Sequence, residues 1–136
     1  MVEARKSLMR YLLNKSFSNK LKKELKNEKI GKKEYAQELF ENFHKYKKDN
    51  LGAKLHKVRV AKEGKGKSGG YRNIVFWEHK KLVVAVYIFS KGDKDNLSNE
   101  EANYLKILAQ QYEKFTEVSL NKAVKENILE EIDYEK

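Results

Sequence analysis

The residues with the clearest capacity for chemistry are 64–72, which read GKGKSGGYR. Their glycines allow the backbone to approach an anion closely, and Lys65, Lys67 and Arg72 supply positive charge around it. The first three glycines also satisfy G-x-G-x-x-G, the spacing of dinucleotide-binding loops. The stretch could therefore be a phosphate cradle, a basic linker or a catalytic loop, and the elements on either side distinguish these possibilities.

The first part of the chain has mainly helical periodicity. Residues 10–16 predict a short strand, and apolar residues that recur every four positions from Phe17 predict a helix. A second helix over 32–47 has a single apolar stripe, and the polar residues and glycine of 49–52 predict the turn that ends it.

The part that follows has the two-residue period of β-strands. Alternation and a wealth of β-branched and aromatic residues predict three consecutive strands, over 55–61, 71–78 and 82–91, of which the last is the most apolar and so the central one. Ser98 and Glu101 form a capping box that predicts a further helix, and an acidic helical or strand-like segment ends near Ile132.

This order of elements predicts an α+β fold. We expect a small antiparallel sheet with a mixed edge, two N-terminal helices packed on one face, and a C-terminal helix. Residues 1–136 are expected to form a single domain, with residues 1–8 as an extension.

The predicted elements also decide among the possibilities for residues 64–72. A nucleotide-binding loop needs a helix after its glycines, and here a strand follows; a P-loop also needs glycine at position 61, which is Ala61. No cofactor is therefore expected, and we interpret 64–72 as a basic hairpin loop.

Three strand ends direct cations toward that loop. Arg59 and Lys62 end one strand, Arg72 begins the next, and Lys91 and Lys94 follow the third. Such convergence favours contact with phosphate, because cationic side chains make strong, charge-assisted hydrogen bonds to it. A hairpin that carries only solvated lysines is the alternative.

An aromatic pair accompanies these cations. Counting by two along 82–91 places Tyr87 and Phe89 on one face, opposite the side chains of Val84, Val86 and Ile88. Aromatic rings beside cations suit an RNA base that stacks next to its own phosphate, although Phe89 equally suits an ordinary core position.

Charge is unevenly distributed along the chain. Residues 54–94 hold 11 basic and 3 acidic side chains, whereas residues 95–136 hold 5 and 10. The basic segment favours a polyanionic partner, most commonly nucleic acid, although a lysine-rich solvated surface explains it equally well.

The absence of cysteine excludes disulfides, thiolate zinc sites and cysteine nucleophiles. No stretch suits a signal peptide or a membrane span, so we expect a cytoplasmic protein without a membrane partner.

The motifs of the central segment resemble the HigB-like branch of the RelE/ParE superfamily of bacterial toxins. They are an LG-x-x-L-x-K-x-R-x-A segment, GKSGGYR, a strand that ends in F-x-K, and a D-N pair at Asp95 and Asn96. The resemblance covers about residues 10–132, and the succession of motifs is more specific than any one of them. Asn73 replaces the threonine usual at its position, a change that is compatible with a surface site.

This resemblance implies a ribosome-dependent mRNA endoribonuclease. Its implied partners are the ribosome, mRNA and a helix-turn-helix antitoxin of the HigA type, with DNA contacted only through the antitoxin. The resemblance, carried over residue by residue, implies catalytic roles for Lys67, Arg72 and Lys91. It implies RNA binding by a further set: Arg59, Lys62, Lys65, Phe89 and Lys94.

The chemistry of such a nuclease can be checked against the residues. The RNA 2′-hydroxyl attacks its own phosphate, which requires proton transfer and stabilisation of the added charge. His44, His56 and His79 are isolated in the pattern and no spacing suits a metal, so neither a histidine base nor a metal ion is expected. A lysine crowded by other cations loses its proton more readily, which suits the predicted catalytic lysines. Tyr71 is a weaker candidate, because packing explains it equally well.

Two other functional classes remain open. One is a basic module that binds RNA without cutting it, and the other is a poison of DNA gyrase, as in the ParE-like members of the superfamily. GKSGGYR and the F-x-K strand end favour the nuclease.

Overall fold

The computed structural model describes residues 9–62, 66–90 and 96–134, and of residues 66–69 only the backbone. Within this part of the chain there are six strands and four helices. In chain order they are β1 (Arg10–Asn14), α1 (Lys15–Glu24), α2 (Lys32–Lys45), β2 (Asp49–Gly52), β3 (Leu55–Lys62), β4 (Gly66–Glu78), β5 (Leu82–Ser90), α3 (Asn99–Glu113), α4 (Glu117–Lys125) and β6 (Leu129–Glu131).

The strands form one sheet in the order β2-β3-β4-β5-β1-β6. β1 pairs with β5 in parallel, and the other neighbours are antiparallel. The predicted α+β fold, with an antiparallel sheet and a mixed edge, is therefore confirmed. The predicted extension, residues 1–8, lies outside the described residues.

Helices cover both faces of the sheet. On the first face, which we call the α1/α2 face, a core forms between the two N-terminal helices and the sheet, with Phe17, Leu39 and Phe40 meeting Val60 and Val75. On the second, the α3/α4 face, Leu105, Ala109 and Leu120 belong to a core with Ile74, Phe76 and Phe89. The two N-terminal helices thus share one face as predicted, and the C-terminal helices occupy the other.

Helix starts follow the local sequence. The Asn14 side chain caps α1 by accepting from the Phe17 N–H at 2.7 Å. Ser98 and Glu101 form the capping box predicted for α3, with N–H to oxygen distances of 3.1 and 2.8 Å. No helix in the described residues is long and apolar enough to cross a membrane.

Residues 49–52 form strand β2 and not the predicted turn. They pair with β3 at the sheet edge, with Asp49 opposite Lys57, and the chain reverses at residues 53 and 54. Ala53 and Lys54 both have positive φ, 54° and 65°. A short, exposed edge strand buries almost nothing, so it can carry the polar residues that otherwise indicate a turn.

The glycine-rich stretch is also partly a strand. β4 begins at Gly66, so residues 66–70 continue into the predicted strand and are not a free hairpin loop. The register shifts here, because Val60 pairs with Tyr71 whereas Lys62 pairs with Gly66. Several residues of β4 therefore lie against a single residue of β3, an irregularity that glycine accommodates.

A second irregularity alters which residues of β5 share a face. Tyr87 lies opposite Ile74, but Ala85 lies opposite Val75, so Val86 is an extra residue in β5. In such a bulge two consecutive residues oppose one, and the alternation is reset. The predicted division of β5 is therefore wrong in part: Val84 and Val86 share the α3/α4 face with Phe89, and Ile88 lies on the other face.

Candidate functional site

Three of the predicted site residues lie in one row across the sheet. Arg59 of β3 lies directly opposite Arg72 of β4, which lies directly opposite Phe89 of β5. Directly opposed residues project from the same face of a sheet, and Phe89 belongs to the core of the α3/α4 face. We call Arg59, Arg72 and Phe89 the arginine row.

Burial differs sharply along the row. Arg59 is exposed, whereas Arg72 is 5% and Phe89 1% exposed. The Arg72 Nη1 atom donates to the Gly70 carbonyl at 3.4 Å. A guanidinium withdrawn from water attracts an anion more strongly than an exposed one, because less solvent screens the interaction. The row therefore contains one exposed guanidinium, Arg59, and one buried guanidinium, Arg72.

Phe89 packs as a core residue. Its ring lies 6.0 Å from that of Tyr87, and at 1% exposure it presents no open face to a base in this structure. Base stacking by Phe89 stays a prediction. Since the residue lies beside Arg72 in the row, its ring also helps to exclude water from that guanidinium.

Lys57 is a further cation on the same face, which the sequence prediction left out. It lies opposite Ile74, one step along β3 from the row, and its Nζ atom donates to the Asn96 Oδ1 at 3.3 Å. Asn96, from the D-N pair, is thereby placed over β3. The alternation of 55–61 had already put Lys57 on the same side as Arg59, so the signal was present in the sequence.

Tyr87 lies on the side of the arginine row that faces β1. Its hydroxyl donates to the Glu101 carboxylate at 2.5 Å, and the Lys20 Nζ atom lies 4.8 Å from its ring centre. These contacts tie β5 to the start of α3 and to α1. The side of the row toward β1 is therefore closed by packed side chains.

Gly70 is required by a close approach of two strands. A Cβ atom at this position would lie 2.3 Å from the Val60 carbonyl oxygen and 2.8 Å from the Lys62 nitrogen, both backbone atoms. Any larger residue would push β4 away from β3. Because Arg72 bonds to the Gly70 carbonyl, that displacement would also move the guanidinium.

Of the remaining predicted cations, Lys62 is the one that the structure describes with its side chain, and it does not join the row. Lys62 is three residues from Arg59 on β3, which places it on the other face, where its Nζ atom lies 5.4 Å from the centre of the Tyr71 ring. Lys65, Lys91 and Lys94 lie outside the described residues, and of Lys67 only the backbone is described, within β4. Roles for these five lysines stay predictions.

Tyr71 is a packing residue on the α1/α2 face. It is 1% exposed, meets the Tyr35 ring edge to face at 5.6 Å, and donates through its hydroxyl to the Glu28 carboxylate at 3.2 Å. Burial, with the nearby Glu28 charge second, raises the pKa of this hydroxyl well above its ordinary value. It is therefore a poor proton donor or acceptor near neutral pH.

The histidines lie away from the row. The His44 Nε2 atom is 2.7 Å from the Tyr11 hydroxyl on the α1/α2 face, and His56 packs 5.4 Å from the Trp77 ring. Burial, followed by the charge of Lys48, lowers the pKa of His56. His79 lies in the turn between β4 and β5, at the opposite end of these strands from Arg72.

Asn73 is a correction to the sequence prediction. It is fully buried, not at a surface-compatible position: its Oδ1 atom accepts from the Tyr35 hydroxyl at 2.8 Å, and its Nδ2 atom donates to the Val58 carbonyl at 3.1 Å. An amide can satisfy both a donor and an acceptor at once, and this position uses both. Asn73 therefore joins α2, β3 and β4 behind Arg72.

Comparison with known proteins agrees with this architecture. A search of the curated proteins finds no match. The family described as "RelE toxin of RelE / RelB toxin-antitoxin system" matches residues 9–132, which include all six strands and all four helices of the described structure. The chain therefore belongs to the RelE toxin family.

Proposed function

We propose that this RelE-family toxin is a ribosome-dependent endoribonuclease that cleaves mRNA, and that it belongs to the HigB-like branch. The family match supports a toxin of a toxin–antitoxin system. The finer assignment is supported by the GKSGGYR and F-x-K motifs and by the position of Arg72 and Phe89, one from each motif, directly opposite one another.

The arginine row is the observation that carries this proposal. Arg59 and Arg72 are like charges that lie directly opposite one another on neighbouring strands, an arrangement that destabilises a sheet. A phosphate bound between them would relieve this repulsion and accept hydrogen bonds from both guanidinium groups. The row is thus suited to an anion that carries more than one acceptor oxygen.

The proposed reaction transfers a phosphoryl group within the RNA. The 2′-oxygen forms a bond to its own phosphorus, the bond from phosphorus to the 5′-oxygen of the next nucleotide breaks, and a cyclic phosphate remains. One proton leaves the 2′-hydroxyl and one reaches the departing 5′-oxygen. Arg59 and Arg72 would stabilise the negative charge that accumulates on the phosphate oxygens in the transition state.

Proton transfer is assigned to lysines in this proposal. The resemblance to HigB-like toxins implies Lys67 and Lys91 for these steps, and both adjoin the strand segments that hold Arg72 and Phe89. A lysine close to two arginines loses its proton more readily, because a neighbouring like charge disfavours the ammonium form. The arginines and lysines would together provide charge stabilisation without a metal ion or cofactor.

The ribosome completes the proposed active site. Cleavage requires the 2′-hydroxyl to lie in line with the departing oxygen, and a site without a histidine base gains most from a substrate held in that geometry. We propose that the ribosome holds mRNA in this way in the cytoplasm, and that a helix-turn-helix antitoxin of the HigA type restrains the toxin.

Primer extension on cellular mRNA after induction tests this proposal. Discrete cuts inside translated reading frames, absent for an Arg72→Ala variant, are the expected result. In vitro, the purified protein should cut ribosome-bound message efficiently and free RNA poorly. Growth arrest in which mRNA stays intact but DNA is damaged would instead indicate a gyrase poison. Growth arrest in which both mRNA and DNA stay intact would indicate a module that only binds RNA.

A further inference from the structure

A cavity of about 270 Å³ opens beside the arginine row, at the outer edge of β3. It arises because β2 pairs with β3 only as far as Asp49 and Lys57, so the following residues of β3 have β4 on one side and no strand on the other among the described residues. The end of α2 covers this gap. The Asn42 Nδ2 atom, from that helix, donates to the Arg59 carbonyl at 3.0 Å.

The walls of the cavity combine positive charge with an exposed ring. Three cations (Lys47, Lys57 and Arg59) face one carboxylate, Asp49, so the lining stays positive. The Asp49 carboxylate is 3.8 Å from the Lys57 Nζ atom and partly offsets the charge of that lysine. Tyr46 and Val58 also line the cavity; Tyr46 is 42% exposed, and the Lys45 Nζ atom lies 5.5 Å from its ring centre.

These components match the way single-stranded nucleic acid is bound. Cations track the phosphates, and an aromatic ring accepts a base by stacking, with little dependence on sequence. The volume is slightly below the roughly 300 Å³ at which small-molecule pockets commonly begin, which suits one base or phosphate and not a whole cofactor. The Asn42 carboxamide oxygen adds an acceptor for a base amino group.

Position relates the cavity to the proposed active site. Arg59 belongs both to the cavity lining and to the arginine row. Its Cα atom is about 5 Å from that of Arg72, the spacing of paired residues on antiparallel strands. A chain whose phosphate lies at Arg72 therefore reaches the cavity within one nucleotide.

We propose that this cavity is a second RNA subsite, which holds the mRNA nucleotide next to the cleaved bond. The base of that nucleotide stacks on Tyr46, and its phosphate lies between Lys47 and Arg59. This inference rests on the proposed nuclease function, since it takes the arginine row as the place of the scissile phosphate.

Binding of an RNA that cannot be cut tests the subsite separately from catalysis. The probe is a short single-stranded RNA with 2′-O-methyl groups, which lack the attacking hydroxyl, and its affinity is measured by fluorescence anisotropy. Tyr46→Ala should weaken binding about tenfold, and Tyr46→Phe should bind like the wild type, because stacking requires the ring and not the hydroxyl. The matched control is Tyr104→Ala, since Tyr104 is also an exposed tyrosine, at 61%, but lies on α3.

The salt dependence of the same binding tests the phosphate contact. Lys47→Ala should reduce the slope of log affinity against log salt by roughly 0.7, the value for one contact to a single strand. Lys125→Ala, which removes an exposed lysine of α4, should leave the slope unchanged. Equal effects of Tyr46→Ala and Tyr104→Ala, or of Lys47→Ala and Lys125→Ala, would overturn the subsite.

Cross-linking separates mRNA from ribosomal RNA as the occupant. Message that carries 4-thiouridine beside the cut site should cross-link, on the ribosome, to the peptide that contains Tyr46 and Lys47. A cross-link of that peptide to ribosomal RNA alone would overturn the assignment to mRNA. Tyr46-dependent binding without any mRNA cleavage in cells would reject the nuclease and leave the RNA subsite in place.

Discussion

Arg72 lies directly opposite Phe89 on the neighbouring strand, and both side chains are almost completely buried, at 5% and 1% exposure. One residue ends the GKSGGYR motif and the other begins F-x-K, so a pairing between two strands brings together motifs that lie 17 residues apart in the sequence. The buried guanidinium is surrounded by protein and not by bulk water. An anion that contacts this guanidinium is therefore screened little by solvent.

The first prediction concerns toxicity. Arg72→Ala and Lys67→Ala should each relieve growth arrest, because each removes a contact made chiefly to the transition state, worth roughly a hundredfold or more in rate. The measurement is growth after induction together with single-turnover cleavage of ribosome-bound message. Since Arg72 is buried, Arg72→Lys is needed as well: it keeps the charge but loses the bidentate geometry, and it should also cleave slowly.

Controls separate these effects from misfolding. Thermal unfolding should show that the variants remain folded, and Lys122→Ala, at an exposed position on α4, should remain fully toxic. Full toxicity of folded Arg72→Ala and folded Lys67→Ala would show that the site has been assigned wrongly.

The second prediction is that Arg59→Gln stabilises the protein while it slows cleavage. Arg59 and Arg72 are directly opposed like charges, and such pairs cost about 0.2–1 kcal/mol. Removing the exposed member should therefore raise the free energy of unfolding, measured from the urea midpoint, by an amount in that range. The gain should shrink at high salt, which screens the repulsion. A lower midpoint at low salt would show that the two arginines do not repel each other in the folded protein.

The third prediction concerns Asn73, which is fully buried between Tyr35 and Val58. Asn73→Leu keeps a similar volume but leaves the Tyr35 hydroxyl and the Val58 carbonyl without their partner. We expect a loss of about 2–4 kcal/mol in the free energy of unfolding, since each buried group left unsatisfied costs about 1–3 kcal/mol. Urea unfolding gives the value.

A double variant shows whether that loss arises from the hydrogen bonds. Adding Tyr35→Phe to Asn73→Leu removes the orphaned hydroxyl and should restore part of the stability, so the two effects should not add. Asn103→Leu, at an exposed position on α3, should change stability by less than about 0.5 kcal/mol. Strict additivity of the two buried substitutions would contradict this account.

Asn73 also shows where sequence reasoning fails. The pattern of 71–78 identifies the strand correctly, but a polar residue in it reads as surface, because burial of an amide depends on partners from other elements. Here the partners come from α2 and β3, so no local pattern reveals them.

The alternation rule succeeds on one strand and fails on its neighbour. β3 has no irregularity between Leu55 and Val60, so counting by two places Arg59 correctly and also indicates Lys57. β5 contains the extra residue Val86, which resets the alternation, and the sequence carries no glycine or proline that would mark it. Counting by two also places Arg59 and Lys62 on opposite faces of the sheet. The sequence analysis nevertheless grouped them, because both lie at the end of the same strand.

The fourth prediction is a loss of stability at high pH that depends on Tyr112. Burial raises the pKa of this tyrosine to about 12. The Asn14 Nδ2 atom donates a hydrogen bond to its hydroxyl at 3.3 Å. The folded state therefore keeps the phenol proton at a pH where the unfolded chain, with a pKa near 10, has lost it. Stability due to this group is complete below pH 10 and declines between about pH 10 and 12, by up to about 1.4 kcal/mol per pH unit.

Comparison with Tyr112→Phe isolates that contribution from those of all other groups. The difference in free energy of unfolding between wild type and variant should be constant below pH 9, roughly one unit under the unfolded pKa, and should shrink from pH 10 upward. The constant part reports the hydrogen bond to Asn14 and the altered packing. Parallel curves up to pH 12 would show that Tyr112 ionises in the folded protein as easily as in the unfolded chain.

The last prediction concerns the antitoxin. The arginine row lies on the α3/α4 face, whereas α1 and α2 pack on the opposite face. Exposed lysines lie at the end of α1 and in the turn after it: Lys22, Lys23 and Lys26. Lys20, on the same helix, is partly buried, and its Nζ atom lies near the Tyr87 ring. An acidic antitoxin docked on these helices would leave the row uncovered and block entry to the ribosome by its bulk.

The Lys67→Ala, Arg72→Ala double variant should then bind the antitoxin almost as tightly as the wild type. The Lys22→Glu, Lys23→Glu double variant should bind it much more weakly, and calorimetry measures both affinities. A loss of several kcal/mol in the first variant, with none in the second, would show that the antitoxin masks the active site directly.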